Sequence, residues 1–244
     1  MPERSKKEET PNILALIPAR GGSKGIKRKN IKLLNGRPLI SYTIEEALKS
    51  KYINRTVVST DDDEIASVAR QYGAEVPFMR PNELAEDHIP DFPVIEHALL
   101  WFDDKDWKVD YIVFLRPTNI FRTIDDIDKA IKKMLGSDFD SIRGISRAVY
   151  PPYWMKRVVG EKLIPFIETG YEGTRRQELP EVYQGNGTVE VIKRETILKK
   201  RNMYGEDVGF IIMDDIATID IDTELDFKIA ECLYSWWQKF CVKL

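Results

Sequence analysis

Hydrophobic and polar positions alternate along this chain in blocks that predict strands and helices in turn. Short apolar runs, typical of buried strands, occur at residues 13–17, 56–59, 75–79 and 111–115. Between and after them, apolar residues recur at helical spacing in segments 40–48, 65–72, 92–102 and 124–135. This β-α-β-α-β-α-β-α order predicts an α/β domain with a mostly parallel, doubly wound, Rossmann-like sheet that carries helices on both faces.

Two helix starts carry recognisable caps. Asp61 with Glu64 predicts a capping box before the second helix, so we expect Asp61 to be its N-cap. Thr223 with Asp226 predicts the same device at the start of the last helix. The apolar residues that we expect this last helix to bury in the core are Leu225, Ile229, Leu233, Trp236 and Phe240.

The pattern changes after Gly144. The stretch 150–155 is aromatic and proline-rich, and no helical period is visible up to about Pro180. We therefore expect an inserted segment of short strands and loops at about 145–182. Its aromatic residues suit a subunit interface, with a small satellite core as the alternative. Strands are predicted again around Val189 and Val191 and at 210–213.

Composition narrows the class of protein. The 244 residues include 37 Lys and Arg against 40 Asp and Glu, and this net charge of −3 gives no electrostatic footprint for nucleic acid. The two cysteines, Cys232 and Cys241, form no disulfide or metal pattern, which is typical of a reducing cytoplasm. We expect no membrane span, a disordered tail at 1–10 and one domain at 11–244.

One loop combines glycines with a concentration of positive charge. The first strand runs into Ala19-Arg20-Gly21-Gly22-Ser23-Lys24-Gly25, and five cations fall within residues 20–29. Glycines let the backbone approach a ligand and direct its N–H groups towards an anion. The spacing matches neither a P-loop nor the dinucleotide fingerprint. The pattern predicts a loop that binds the phosphates of a small ligand, with a solvated basic turn as the alternative.

An acidic pair lies near the end of the chain, in Ile219-Asp220-Ile221-Asp222-Thr223. Residues two apart in an extended chain face the same side, so Asp220 and Asp222 would present two carboxylates together. Such a pair suits Mg²⁺, which keeps waters and takes phosphate oxygens as further ligands. In the alternative interpretation, Asp222 belongs to the polar start of the last helix and Asp220 is a solvated strand residue.

Two further polar groups follow predicted strands or turns. Arg116 ends the central strand, and like the cationic loop it lies at a carboxyl end, where ligands bind in such sheets. Arg175 and Arg176 precede Gln184 and Asn186 by a few residues. An arginine pair can hold a carboxylate through two hydrogen bonds, although a surface salt bridge is the simpler interpretation.

Taken together, these motifs resemble the CMP-sialic acid synthetases (acylneuraminate cytidylyltransferases), to which CMP-Kdo synthetases are related. The signature loop of that family is similar to Pro18–Gly25 with Lys29-Asn30. Further matches follow in the family's order and cover nearly the whole chain, at residues 58–61, 80–85, 116–122, 176–180, 186–187 and 219–223.

The resemblance implies an enzyme that transfers CMP from CTP to the anomeric hydroxyl of a nine-carbon 2-keto acid sugar, releasing pyrophosphate. It implies Mg²⁺ on Asp220 and Asp222, and a homodimer in which the inserted segment reaches the partner's site. The implied nucleotide contacts are Ala19, Arg20, Gly21, Gly22, Ser23, Lys24, Lys29, Asn30, Arg80 and Asp91. Among these, Arg20, Lys24 and Lys29 would be catalytic together with the two aspartates. The implied acceptor contacts are Arg116, Thr118, Arg122, Arg176, Gln184 and Asn186.

Three residues depart from the family pattern. Arg116 stands where glutamine is common, Asp91 where a small hydroxyl residue is common, and Glu190 where an aromatic residue is usual. These changes leave the acceptor open among sialic, legionaminic and pseudaminic acids and similar sugars. A related enzyme with another nucleotide or sugar, and a non-catalytic nucleotide-sugar binding protein, are the alternatives. Neither histidine, His88 or His97, is an evident general base.

Overall fold

The computed structural model describes residues 10–240, in which short strands and helices alternate from the start. The first half contains β1 (Ile13–Pro18), β2 (Leu33–Leu34), β3 (Arg37–Pro38), α1 (Leu39–Leu48), β4 (Arg55–Ser59), α2 (Asp63–Gln71), α3 (Asp91–Asp103), β5 (Tyr111–Phe114) and α4 (Ile124–Leu135). The second half contains β6 (Ser141–Arg147), β7 (Lys156–Val159), β8 (Lys162–Pro165), β9 (Tyr183–Lys193), α5 (Arg194–Leu198), β10 (Val208–Ile212) and α6 (Glu224–Phe240).

Within the described residues, six strands form the central sheet, in the order β10-β6-β9-β5-β1-β4. β1 pairs in parallel with β4 and β5, and β10 pairs in parallel with β6. β9 lies between β5 and β6 and is antiparallel to both. The predicted α/β architecture with a mostly parallel sheet is confirmed, with β9 as the one reversed strand of this sheet.

The core lies on both faces of the sheet, which explains why β1 is continuously apolar. Ile13, Ala15 and Ile17 point to one face, where α1, α2 and α4 pack. Leu14 and Leu16 point to the other face, against α3 and α5. With both faces covered, the sheet leaves its ends as the places where loops can form a ligand site.

Two local predictions around β4 are wrong. Segment 75–79 is not a strand, because its pairing with β4 is limited to one bridge between Val57 and Glu75. The N-cap of α2 is Asp62, whose carboxylate accepts from the N–H of Ile65 at 2.9 Å. Three consecutive aspartates offer more than one cap register, and a tertiary contact selects among them: Asp61 instead accepts from the N–H of Gly21 at 2.9 Å.

α6 begins at the predicted capping box but buries a different face. The N–H of Asp226 donates to Thr223 Oγ1 at 3.2 Å, and Thr223 N donates to the Asp226 carboxylate at 2.7 Å. The side chains that enter the core are Phe227, Ala230, Tyr234 and Trp237. The expectation was wrong for Leu225, Ile229, Trp236 and Phe240, which are exposed, whereas Leu233 packs partly buried against that core. The helix carries two apolar stripes, and its aromatic contacts with Tyr42 and Phe121 decide which is buried.

The stretch between β6 and β9 forms the β7–β8 hairpin and loops. Its apolar side chains are largely exposed: Val158, Leu163 and Phe166 are 74%, 70% and 57% exposed. A small contact between the rings of Tyr153 and Tyr171 is all the aromatic packing described within it. Residues 1–9 of the predicted tail, and Cys241, lie outside the described residues, in which no helix is long and apolar enough to cross a membrane.

Candidate functional site

A cavity of about 620 Å³ opens at the carboxyl ends of β1 and β5, where the cationic loop and Arg116 were expected to lie. It is strongly charged, because cations from the first loop and from the end of β5 meet acidic residues of two other segments. The predicted site residues that line it are Arg20, Ser23, Lys24, Lys29, Asn30, Arg80, Asp91, Arg116, Thr118 and Asp222.

The cationic loop (residues 19–30) is held in shape by its own backbone and by α2. Ala19 N donates to Ser59 O at 3.0 Å, which continues the β1–β4 pairing beyond the strand. Asn30 Nδ2 donates to Arg20 O at 3.0 Å and braces the loop from within. Arg28 bonds the carboxylate of Asp62, the cap of α2. Ala19, Gly21 and Gly22 therefore shape the loop from outside the cavity lining.

Gly25 marks the place where the acidic segment approaches the cationic loop. A Cβ on Gly25 would lie 2.1 Å from the backbone oxygen of Asp222, whereas a Cβ on Gly22 would meet nothing within 4 Å. Lys29 closes the same contact, since its Nζ donates to Ile221 O at 2.7 Å and to Asp222 Oδ1 at 2.8 Å. The two predicted motifs, nearly 200 residues apart, thus form one wall.

The two aspartates flank Ile221 and differ in position. Ile221 is buried and its N–H donates to Thr118 O at 3.1 Å, which leaves both neighbours on the outer side. Asp222 lines the cavity, whereas Asp220 is exposed outside its lining. No cluster of three or more acidic, His or Cys ligands occurs among residues 10–240. Two carboxylates without a third ligand fit Mg²⁺ if phosphate oxygens and waters complete its shell.

Asp87 is a site residue that the sequence analysis missed. Its two carboxylate oxygens contact Arg20 Nη2 at 2.7 Å and Lys24 Nζ at 2.5 Å, so one carboxylate bridges two loop cations. The hydrogen bond from Lys24, with the charge of Arg20, holds the pKa of Asp87 below its usual range. The length and polarity of the loop that carries it were the available signal, although they indicated no particular residue.

Arg80 forms part of the wall in a buried position. It donates to the hydroxyl of Ser59 at 3.1 Å and to the backbone oxygen of the same residue. Burial lowers the pKa of Arg80 to about 10. The side chain is thus held by β4, and its cavity face is available to a ligand.

Arg116 lines the cavity just beyond the end of β5, where it lies between three acceptors. Its Nη2 contacts Asp91 at 2.7 Å, and its Nη1 contacts Glu190 at 3.1 Å and Gly187 O at 3.2 Å. Burial alone would lower the pKa of Arg116, but the carboxylates of Glu190 and Asp91 raise it above its ordinary value. Arg116 is therefore a permanent cation in a fixed orientation.

Four residues predicted on the acceptor side lie outside this cavity in the single chain. Arg122 is fully buried, and burial lowers its pKa to about 9. It donates to Thr43 Oγ1 at 2.6 Å and to the backbone oxygens of Arg116 and Thr188, so it supports the loop that carries Arg116. Asn186 is buried and bonded to Ser146, Gln184 lies on β9 beyond the cavity lining, and Arg176 is exposed.

The histidines have different surroundings. His97 packs its ring against Phe78 at 4.9 Å between centroids, and burial lowers its pKa. His88 is exposed and lies 3.4 Å from Glu86. Neither side chain lines the cavity.

An α/β sheet that presents a cationic loop, facing carboxylates and a second cationic wall defines a nucleotidyltransferase. Comparison with known families identifies which one. The model of the family described as cytidylyltransferase matches residues 14–158, and the chain belongs to this family.

Curated relatives and solved structures agree. The chain is 38% identical over 236 residues to a CMP-N,N'-diacetyllegionaminic acid synthase of Campylobacter jejuni, covering 91% of this chain and 95% of the relative. It is 32% identical to an N-acylneuraminate cytidylyltransferase of Escherichia coli, covering 89% of this chain and 51% of that protein. A CMP-2-keto-3-deoxy-manno-octonic acid synthetase solved with CTP has the same fold, with a TM-score of 0.71 at 16% identity over 92% of this chain and 99% of that one. The resemblance seen in the sequence is confirmed.

Proposed function

We propose that this enzyme transfers CMP from CTP to the anomeric hydroxyl of a nine-carbon 2-keto acid sugar, with release of pyrophosphate and with Mg²⁺ as cofactor. The observation that carries the proposal is a single cavity with two cationic walls. One wall combines Arg20, Lys24 and Lys29 with Asp222, and the other is formed by Arg116. The names of the relatives support cytidylyl transfer to a sugar acid of this kind.

On the first wall, the cations would hold the triphosphate. Lys29 is already fixed by Ile221 O and Asp222, so its ammonium group would meet the phosphates without losing much freedom. Arg20 and Lys24 would exchange Asp87 for phosphate oxygens. Mg²⁺, held by Asp222 and Asp220 together with phosphate oxygens, would offset the charge of the triphosphate.

On the second wall, Arg116 and Thr118 would orient the acceptor. A sugar hydroxyl is a weak nucleophile, and the charge that develops during transfer falls on the α-phosphate and the departing pyrophosphate. Positioning of the two substrates and cationic stabilisation of that charge are then the main contributions of the protein. One cation on each wall supports this, because Lys29 and Arg116 are each held by two or more neighbouring groups.

A matrix of nucleotides and acceptors tests the proposal. We expect pyrophosphate release with CTP and one of N,N'-diacetyllegionaminic, pseudaminic or N-acetylneuraminic acid, and loss of release when EDTA removes divalent cations. Release with another nucleotide but not with CTP would favour a related nucleotidyltransferase. Binding of CTP without turnover of any acceptor would favour a non-catalytic nucleotide-sugar binding protein.

We also propose that two chains associate through the β7–β8 hairpin. Its exposed apolar side chains, among them Val158 and Leu163, are unusual for a surface in water. Pairing would also carry Arg176, which lies outside the cavity of its own chain, towards the other subunit. Light scattering on Leu163→Asp should show a monomer, whereas Leu225→Asp, on the exposed stripe of α6, should remain a dimer. A monomer from Leu225→Asp alone would place the interface on α6.

A further inference from the structure

Four charged side chains form a row that begins at the cavity and continues into the sheet. Asp91 contacts Arg116 at 2.7 Å, Arg116 contacts Glu190 at 3.1 Å, and Glu190 contacts Arg143 at 2.5 Å. The signs alternate, so every charge in the row has an opposite neighbour. The proposed transfer reaction uses Arg116 alone, which leaves Glu190 and Arg143 without a role.

Glu190 occupies a position where a carboxylate is costly. Its side chain is 8% exposed and that of Arg143 is 9% exposed. Within the described residues, Glu190 Oε2 is buried without a hydrogen-bond partner, while Oε1 contacts both arginines. A buried charge of this kind destabilises a fold unless its neighbours compensate, and a hydrophobic residue is often as good for stability. Stability alone therefore gives a weak reason for Glu190.

The sheet determines where Glu190 can reach. In the register of β9, Glu190 lies opposite Phe114 on β5 and opposite Arg143 on β6. Two residues after Phe114 the chain reaches Arg116, whose guanidinium lies 5.1 Å from the Phe114 ring centroid. Glu190 thus contacts Arg116 from behind, away from the cavity lining, and holds Nη1 together with Gly187 O.

The front of Arg116 is different. Its Nη2 contacts Asp91, which lines the cavity and whose side chain is 36% exposed. A ligand carboxylate that enters the cavity can replace an exposed partner, since water already compensates part of that charge. It cannot replace Glu190, which is enclosed by strands. The guanidinium is therefore fixed on one side and exchangeable on the other.

We propose that Glu190 is a positioning residue, which presets Arg116 to bind the acceptor carboxylate, and that Asp91 holds the same Nη2 until that carboxylate replaces it. This inference rests on the proposed function. It also explains why Arg116 and Glu190 occur together in this chain. Each of them departs from the residue type common in the family it resembles, and in this structure they contact each other.

Steady-state kinetics with the acceptor that supports turnover test the proposal. In Glu190→Gln we expect the KM for the acceptor to rise about tenfold, with the KM for CTP within about twofold of the wild type. Glu190→Asp should restore part of the acceptor affinity. The matched control is Glu195→Gln, which removes an exposed carboxylate just after β9 and should change neither KM.

A second background separates positioning from a general structural role. In Arg116→Gln, adding Glu190→Gln should cause no further rise in the acceptor KM, because Glu190 acts through Arg116. If the single variant Glu190→Gln fails to fold, the double variant Arg143→Gln with Glu190→Gln avoids the unpaired arginine and should show the same rise. Asp91→Asn should lower the acceptor KM by a few fold.

The outcomes are distinct. Two results would overturn the inference and leave the proposed function intact. One is turnover by Glu190→Gln with an unchanged acceptor KM. The other is an equal rise in the acceptor KM when Glu190→Gln is introduced into the wild type and into Arg116→Gln. A tenfold higher acceptor KM in Asp91→Asn would overturn the exchange at Nη2. No turnover by the wild type with any acid of the panel would refute the proposed function, and the inference with it.

Discussion

The two walls of the cavity, a proposed phosphate wall with Lys24 and Lys29 and a proposed acceptor wall with Arg116, hold their cations in opposite ways. On the phosphate wall, Lys24 and Asp87 form an ion pair in which the lysine side chain is 78% exposed. On the acceptor wall, Arg116 is backed by Glu190 and Arg143, whose side chains are less than a tenth exposed. Exposed pairs contribute little and exchange readily, whereas buried pairs hold geometry at a cost in desolvation. The first wall therefore suits a charged ligand that can replace the exposed partners of its cations. The second suits a ligand whose shape fits the fixed position of Arg116.

The phosphate wall should nevertheless have one fixed cation, Lys29. Its side chain is 13% exposed and bound to two acceptors of the acidic segment. We expect Lys29→Met to lower kcat/KM for CTP by about 10² to 10³, as loss of one group that stabilises transition-state charge does. The control is Lys27→Met, which removes an exposed cation of the same loop that does not line the cavity. Equal, small effects of both variants would contradict a fixed cation.

The contact between the cationic loop and the acidic segment can be broken by one methyl group. We expect Gly25→Ala to lower kcat/KM by about 100-fold, because its Cβ would overlap Asp222 O and misplace the wall. Gly22→Ala, in open space in the same loop, should retain activity within about twofold of wild type. Loss of activity in both variants would mean that the loop needs flexibility at every glycine, and not this one close approach.

Asp140 should stabilise the structure around Arg143, behind the acceptor wall. Asp140 accepts from Lys200 Nζ at 2.7 Å and from Glu206 N at 2.8 Å, which ties down the segment whose Tyr204 ring covers Arg143. The hydrogen bond from Lys200 and those from backbone N–H groups lower the pKa of Asp140 from 3.8 to about 2. Asp140→Asn should reduce the free energy of unfolding by about 1 to 2 kcal/mol at neutral pH.

The pH dependence follows from the sign of that shift. The pKa of Asp140 is lower in the folded chain, so its contribution is complete above the unfolded value and is lost as pH falls from about 4 to about 2. Denaturant unfolding should therefore separate wild type and variant at pH 6 and bring them together near pH 2. Asp138→Asn, an exposed neighbour, serves as the control. A constant difference across this range would contradict the assignment.

The smallest expected effect is a gain in the apparent affinity for CTP, whereas the other variants lose activity or stability. Asp87 pairs with Arg20 and Lys24, the cations that in the proposed function would hold the triphosphate, so Asp87→Asn should lower the KM for CTP by about two- to fivefold. Glu86→Gln removes the neighbouring carboxylate, which lines the same cavity but contacts His88. This control distinguishes the ion pairs of Asp87 from an effect of net charge. A change of similar size in the KM for CTP of Glu86→Gln would show that net charge alone matters.

The sequence was most informative where short-range patterns decide the structure. The continuous apolar run of β1 requires two covered faces, so the strand, its sheet and the loop at its carboxyl end follow from local pattern. The capping box of Thr223 and Asp226 spans four residues, and it formed as expected. Where a pattern allowed two solutions, as in 61–63 and on α6, local rules could not choose.

What the sequence by itself determined is the class of the molecule: an α/β sheet with a cationic loop at the carboxyl end of its first strand, and an acidic segment near the end of the chain. The tertiary structure decided which charges meet. Asp87 reaches the loop from the long connection between α2 and α3, and Glu190 reaches Arg116 through the register of a reversed strand 74 residues further along. Such contacts depend on loop closure and strand register, which emerge when the whole sheet is assembled. That is why the cationic loop could be predicted from the sequence and the support behind Arg116 could not.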